Sequence, residues 1–185
     1  LDLHGTMDEY AAEKRKIFSQ CKLGCINADD ARAAFMAQNA ACPILSYSID
    51  KNDAQLVAKD VRLSAEGVRF AAVYGGELAL TKLAIPGMFS VHNALGVMAA
   101  ALSLGIGLDD CAQSISSAKG VKGRMESVPT DGDYSIIIDY SHKPDALENV
   151  LTTLRPVTKG RLMVLFGCGG DRDRGKRPIM GRIAA

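Results

Sequence analysis

No apolar run in the 185-residue sequence is long enough to cross a bilayer, so no membrane-spanning helix is expected. Charge of one sign is not in surplus either: 22 Lys and Arg face 21 Asp and Glu, a net charge of +1. That balance gives no electrostatic support for a nucleic-acid partner or an anionic membrane, and neither is expected. The five cysteines, Cys21, Cys25, Cys42, Cys111 and Cys168, form no C-x-x-C pair, and their number is odd. Buried, reduced thiols in a cytoplasmic protein fit this usage. The first residues do not read as a signal peptide. An opening Met is missing, and the last residues, Ile183-Ala184-Ala185, fall inside a helix-like segment. A segment of a longer protein is therefore expected. Hydrophobic content of 48% and charged content of 23% suit a soluble globular chain.

What the sequence does contain is the stretch Phe166-Gly167-Cys168-Gly169-Gly170-Asp171-Arg172-Asp173-Arg174-Gly175-Lys176-Arg177-Pro178, between an apolar run from Leu162 to Phe166 and a helix-like segment. A buried strand, a glycine turn and a helix start are expected there, the arrangement at which open α/β sheets place their ligands. Two phosphate motifs come close and fail. Gly167 to Arg172 begins like a dinucleotide fingerprint, but Arg172 stands where the third glycine would let helix and strand pack closely. Gly170 to Lys176 has the outline of a Walker A loop, but Arg177 stands where a Ser or Thr hydroxyl would reach Mg²⁺. Asp171 and Asp173 would also repel phosphates nested in that turn.

Taken from its start, the chain predicts a helix from about Met7 to Ser19, opened by a Thr6–Glu9 capping box. Tyr10, Lys14, Ile17 and Phe18 share one face at helical spacing. Lys14 is then a cation on an apolar stripe. Either its stem packs while its ammonium stays in water, or burial lowers its pKa and frees a neutral amine. Lys16 lies off that face. A short strand is expected over Gly24–Asn27, then a helix from Ala31 to Gln38 with Asp29 or Asp30 as its N-cap. Strands are expected over 44–49, 56–63, 68–74 and 78–83. The alternation of Val68, Phe70, Ala72 and Tyr74 predicts antiparallel hairpins with one wet face. Helices from about Phe89 to Leu104 and from Leu108 to Lys119 come next. Asn93 either caps the first of these or faces a ligand. Glycines beside Arg124 let the backbone approach a ligand and its guanidinium fork onto phosphate oxygens; a solvated surface arginine is the alternative. Pro129 to Asp133 is the expected domain boundary. After it, a buried-type strand from Ser135 to Asp139, a helix from Pro144 to Leu154 and a strand from Leu162 to Phe166 predict a βαβ unit in a parallel sheet.

The run "FGCGGDRDRGKRPIMG" resembles the start of the C-terminal domain of the Mur ligase family, closest to the type that adds the third residue of the peptidoglycan stem peptide. "LDLHGTMDEYAAEKRKIF", "PGMFSVHNALGVMAAALSLG", "GVKGRME" and "DYSHKPDALENVL" resemble further motifs of that family, so the likeness covers nearly all of the chain. It implies an α/β fold, with residues 1–128 the later part of a central ATPase domain and residues 129–185 the start of a Rossmann-like domain. It implies an ATP-dependent amide ligase. ATP would phosphorylate the D-Glu side-chain carboxylate of UDP-N-acetylmuramoyl-L-Ala-D-Glu. The amine of a diamino acid, meso-diaminopimelate or L-lysine, would attack the acyl phosphate. ATP and Mg²⁺ are the implied cofactors. The UDP-N-acetylmuramoyl-dipeptide and the diamino acid are the implied partners of a monomeric, cytoplasmic enzyme.

The resemblance also implies roles. Lys14 takes the place of a family lysine that CO₂ carbamylates to help hold Mg²⁺. Only an unprotonated amine attacks CO₂, and a carbamate is a hard oxygen ligand suited to that ion. Asn93 takes the place of an asparagine beside the ATP base. Ser90 replaces a second family asparagine and loses its paired donor and acceptor. Arg124 would reach ATP, Asp139 would accept from two ribose hydroxyls, and His142 would face the same nucleotide; helix capping for Asp139 and a loop surface for His142 are the alternatives. Lys143 replaces a family threonine. Arg172 would hold the α-carboxylate of the incoming amino acid bidentately. The family's phosphate loop, UDP-sugar domain and amino-acid-selecting motif are not among these residues, so the segment alone is expected not to ligate. The alternatives are another Mur-type ligase, a folylpolyglutamate synthetase, or a non-catalytic nucleotide-binding module; "FGCGGDRD" favours the first reading.

Overall fold

In the computed structural model, which describes residues 5–64, 67–169 and 173–185, helix α1 (Met7–Arg15) starts at the expected capping box. The Glu9 N–H donates to Thr6 Oγ1 at 3.2 Å and the Thr6 N–H to Glu9 Oε2 at 3.0 Å, which satisfies two donors that a helix start leaves open. The helix tightens into a 3₁₀ turn over Lys16–Ser19. Three residues per turn instead of 3.6 rotates the side chains beyond Arg15 away from their α-helical positions, so the expected apolar stripe does not hold. Ala11 and Phe18 are buried, whereas Tyr10 is 38% and Ile17 59% exposed. Strand β1 (Gly24–Asn27) and the short helix α2 (Ala33–Ala37) come next. A second small core of Phe18, Ile26 and Cys42, with Ile44 and Met36 against it, joins them.

Five strands form the main sheet in sequence order: β1, β2 (Ile44–Ser48), β3 (Leu56–Ser64), β4 (Gly67–Tyr74) and β5 (Glu77–Leu83). The first three are parallel, and β3–β4–β5 is an antiparallel meander, as the alternation predicted. Val68, Phe70 and Ala72 are buried in the main core while Arg69 is exposed, a period of two that breaks at Ala71, which is buried as well. Helix α3 (Met88–Ser103) covers the inner face. Its buried Val91, Ala94, Leu95, Met98 and Ala99 recur at i, i+3, i+4, i+7 and i+8, one stripe of an α-helix. Removing a side chain such as Met98 from water is worth roughly 1.5–3 kcal/mol, so this stripe is the main adhesive of the fold. Helix α4 (Leu108–Ser117) adds Leu108, Cys111 and Ala112 to the same core.

The C-terminal part departs from expectation. The strand after the turn, β7 (Ile136–Ile138), pairs antiparallel with β6 (Glu126–Val128) in a separate two-stranded sheet. Ile136 and Ile138 are 44% and 49% exposed, so this strand is not buried. Helix α5 (Pro144–Leu154) forms with Pro144 at its opening, as predicted. Residues 162–166 belong to no helix or strand, and Leu165 is fully exposed, so the expected βαβ unit and its parallel sheet do not form. Helix α6 (Lys176–Ala184) packs on α5 with Met180 buried. Among the described residues no helix is long and apolar enough to cross a membrane.

Candidate functional site

Loop 118–125 and the end of β7 build one cavity. Gly120 (φ 85°) and Gly123 (φ 71°) turn the chain after α4 in the left-handed region, which glycine adopts at least cost. Met125 adopts φ 47° without being glycine, a strained conformation that its surroundings must hold. Two carboxylates do so. Glu126 Oε2 accepts from the Gly123 N–H at 2.7 Å, and Asp139 Oδ2 accepts from the Met125 N–H at 2.9 Å. Asp139 Oδ1 also accepts from the Ser141 hydroxyl. The helix-capping alternative for Asp139 therefore fails: it braces the Arg124 loop. Its oxygens keep lone pairs beyond these two bonds.

The cavity holds about 350 Å³ and is lined by Lys122, Gly123, Arg124, Ile138, Asp139 and Tyr140. The Arg124 guanidinium lies 4.9 Å from the Tyr140 ring centre. His142 meets the same ring edge-on at 5.1 Å, and its Nδ1 lies 3.1 Å from the Tyr140 carbonyl oxygen. Lys176 at the start of α6 donates to the His142 carbonyl oxygen at 3.1 Å, tying that helix to this loop. Two cations, one carboxylate and one aromatic face on a single concavity match the chemistry of a nucleotide: phosphate, ribose and base. Of the candidate residues, Arg124 and Asp139 line the cavity, and His142 adjoins it through the Tyr140 ring. The sequence does not single out Tyr140 and Lys122 on its walls, or Ser141 on Asp139, although Tyr140 and Ser141 closely follow Asp139 and Lys122 lies between the glycines.

Lys14 lies in a different cavity of about 330 Å³, which it shares with Met7, Tyr10, Asn27, Asp30 and Arg32 among others. It is exposed, with Nζ 5.5 Å from the Tyr10 ring centre. Lys16 pairs with Glu13 at 2.6 Å. No group of three or more His, Cys, Asp or Glu able to hold a metal occurs among the described residues. With Arg32 also on the wall, these residues do not fit Mg²⁺ by themselves.

Asn93 is exposed on α3, five residues inside the helix, so it caps nothing; the N-cap is Gly87. It lines neither cavity. Ser90 is buried and bonds the Pro86 carbonyl oxygen at 3.3 Å, a contact local to the helix start. Arg172 lies outside the described residues.

Asp29 is not the helix cap expected of it. Its carboxylate accepts from the Ile49 N–H at 2.8 Å and from the Ser48 hydroxyl, joining the loops that leave β1 and β2. Burial opposes its charge, but the bonds from Ile49, Ser48 and Asp50, with His92 beside it, outweigh that, and its carboxyl sits below the usual aspartate range. Asp30 instead accepts from the Arg32 N–H at 2.7 Å.

A family model described as Mur ligase middle domain matches residues 1–101, and one described as Mur ligase, glutamate ligase domain matches residues 123–185. The chain is 40% identical over 193 residues to a UDP-N-acetylmuramoyl-L-alanyl-D-glutamate–2,6-diaminopimelate ligase of Bacillus licheniformis, covering 100% of this chain and 39% of the relative. It is 40% identical over 181 residues to ligase 2 of that description from Clostridium acetobutylicum, covering 98% of this chain and 37% of the relative. A solved structure of a ligase of the same description superposes with a TM-score of 0.72 at 36% identity, over 98% of this chain and 38% of that one. MurF from Acinetobacter baumannii shares the fold, with a TM-score of 0.75 at 21% identity, over 83% of this chain and 34% of that one. The chain thus spans about two-fifths of the length of the curated relatives it matches.

Proposed function

The chain belongs to the Mur ligase family, and from that premise we propose that it is the ATP-handling part of a ligase that joins a diamino acid to UDP-N-acetylmuramoyl-L-Ala-D-Glu in peptidoglycan synthesis. The observation that carries the proposal is the cavity in which Lys122, Arg124, Asp139 and Tyr140 converge. The identity to diaminopimelate ligases over the whole chain supports diaminopimelate as the amino acid.

Each residue then has a task. Arg124 holds phosphate oxygens with its fork of donors, and Lys122 adds positive charge at the rim. Asp139 accepts from ribose hydroxyls with the lone pairs its two internal bonds leave over. Tyr140 offers a flat face to the base, and His142 holds that ring from its edge. Asn93, which lines neither cavity, is assigned to the base on its family-like motif alone, and Arg172 on the same ground to the α-carboxylate of the amino acid. The bound nucleotide supplies a phosphoryl group that activates a carboxylate toward an amine. Lys14 is the site of carbamylation: its solvent-accessible amine gives up a proton, the free amine attacks CO₂, and the carbamate, losing its own proton to solvent, replaces a cation with an anionic oxygen donor. Residues 1–128 and 129–185 are assigned to separate domains on the same reading, and the enzyme is a cytoplasmic monomer.

The test is ATP-dependent phosphate release by the longer protein that carries this chain, supplied with UDP-N-acetylmuramoyl-L-Ala-D-Glu and meso-diaminopimelate. Release should depend on both substrates. Arg124→Ala should raise the KM for ATP by about 10–100-fold, the loss of one or two charge-assisted hydrogen bonds. Phosphate release indifferent to the dipeptide, or an unchanged KM in Arg124→Ala, would overturn the proposal.

A further inference from the structure

We propose that Cys21 and Cys42 form a reversible thiol–disulfide site, closed by low-molecular-weight disulfides such as oxidised glutathione. The inference is independent of the ligase reading. Their sulfurs lie 3.4 Å apart although the residues are 21 positions apart in sequence. The backbone presents them to each other: the Ala41 N–H donates to the Phe18 carbonyl oxygen at 3.1 Å, and the Gly24 N–H to that of Pro43 at 2.9 Å. Closing a disulfide needs the sulfurs at about 2.05 Å, an approach that two side chains can share by small rotations. The other thiols have no such neighbour. Cys25 meets the Ser103 hydroxyl, Cys168 the Met180 thioether, and Cys111 lies in the main core.

The two thiols are unequal. Cys21 is partly open to solvent, and Cys42 is buried. Burial, then the adjacent Cys21 sulfur, push the Cys42 thiol up from its ordinary range. Cys21 therefore takes the first step. It gives its proton to solvent, and its thiolate attacks one sulfur of the small disulfide. That S–S bond breaks, and one small thiolate leaves and is protonated. Cys42 then gives up its proton and attacks the Cys21 sulfur, expelling the second small thiolate. Two protein thiols lose two electrons and two protons, and the small disulfide gains them as two thiols. The bond would pin the 3₁₀ turn after α1 to the entry of β2, across the Phe18–Ile26–Cys42 core and beneath the helix that carries Lys14.

The test equilibrates the chain in graded ratios of oxidised to reduced glutathione, quenches with acid, alkylates the remaining thiols in denaturant and maps peptides by mass spectrometry. The expected product joins Cys21 to Cys42, with Cys25, Cys111 and Cys168 alkylated, and excess reduced glutathione reverses it. Cys42→Ser should stop at a stable glutathione adduct on Cys21, and Cys21→Ser should leave Cys42 alkylated. A wild-type chain that ends with glutathione on Cys21 and alkylated Cys42 would overturn the proposal. So would five alkylated cysteines at the most oxidising ratio, or a linkage between any other pair.

Discussion

Asp29 looks in the sequence like one half of an Asp29-Asp30 helix cap, and its partners turn out to lie about twenty residues downstream. A local motif reveals only the donors nearby, so a carboxylate that closes two separate loops reads as a cap until the strands are aligned. Its carboxyl is held below the usual range, so it lends stability while ionised. That stability is present above the ordinary aspartate pKa and is lost as pH falls through the depressed value. Asp29→Asn should lower unfolding free energy at pH 7 by about 1–3 kcal/mol, the cost of losing charged hydrogen bonds to buried donors. The gap to wild type should begin to narrow below about pH 4, where the unfolded chain's carboxyl takes up its proton, and should close only once the pH has fallen through the depressed native value. Urea unfolding at both pH values measures it, and a gap that stays constant refutes the assignment. The same blindness affects Lys14, whose spacing put it on a buried stripe: within α1 the buried residue is Ala11, and Tyr10 and Lys14 stay exposed. Arg124, Asp139 and His142 were legible because contiguous motifs carry them. Tyr140, which joins the guanidinium to the imidazole, carries no signal of its own as an exposed aromatic after a strand.

Among the elements, the meander was legible and the C-terminal unit was not, for one physical reason. Alternation in β4 reports a covered face and a wet face, which is a property of the strand itself. Pairing direction is a property of the neighbour, and the run of Ile136–Ile138 fits an antiparallel partner as well as a parallel one. The β3–β4 hairpin depends on a close approach that the sequence marks only as a glycine. Gly67 has φ 138°, and a Cβ there would lie 1.9 Å from the Leu83 carbonyl oxygen. Backbone cannot yield as a side chain can, so Gly67→Ala should cost about 3 kcal/mol or more, strain and overpacking together. Gly75 provides the contrast. Its φ is 58° with nothing within 4 Å, so Gly75→Ala should cost only the left-handed penalty of about 1–2 kcal/mol. Equal losses in chemical denaturation would show that space at Gly67 is not what decides.

Across the whole molecule, burial is distributed unevenly, and that sets how it opens. The main core joins β2, β3, β4, β5, α3 and α4, with Leu56, Val91, Leu95 and Met98 fully enclosed. Beyond residue 122, Met125, Leu147 and Met180 are the buried hydrophobic residues among those described, while Met163 and Leu165 are 73% and 101% exposed. Local opening costs little where few apolar contacts are lost. Amide hydrogen exchange should therefore reach α5, α6 and β7 well before the centres of α3 and β4. Met98→Ala should lower the main unfolding free energy by about 2–5 kcal/mol, because it empties space at the centre of that core. Leu165→Ala should change it by no more than about 0.5 kcal/mol. Uniform protection along the chain, or a Leu165→Ala loss as large as that of Met98→Ala, would mean that residues 123–185 fold as one cooperative unit with the main sheet. Earlier exchange there would instead mean that the cavity walls have unequal anchors. Lys122 and Arg124 stand on a loop leaving the stable core through α4, and Asp139 and Tyr140 stand on the part that opens first. A ligand bridging these walls would lower the exchange rate of β7 and α5 more than that of α3, an effect readable by repeating the exchange in saturating ATP.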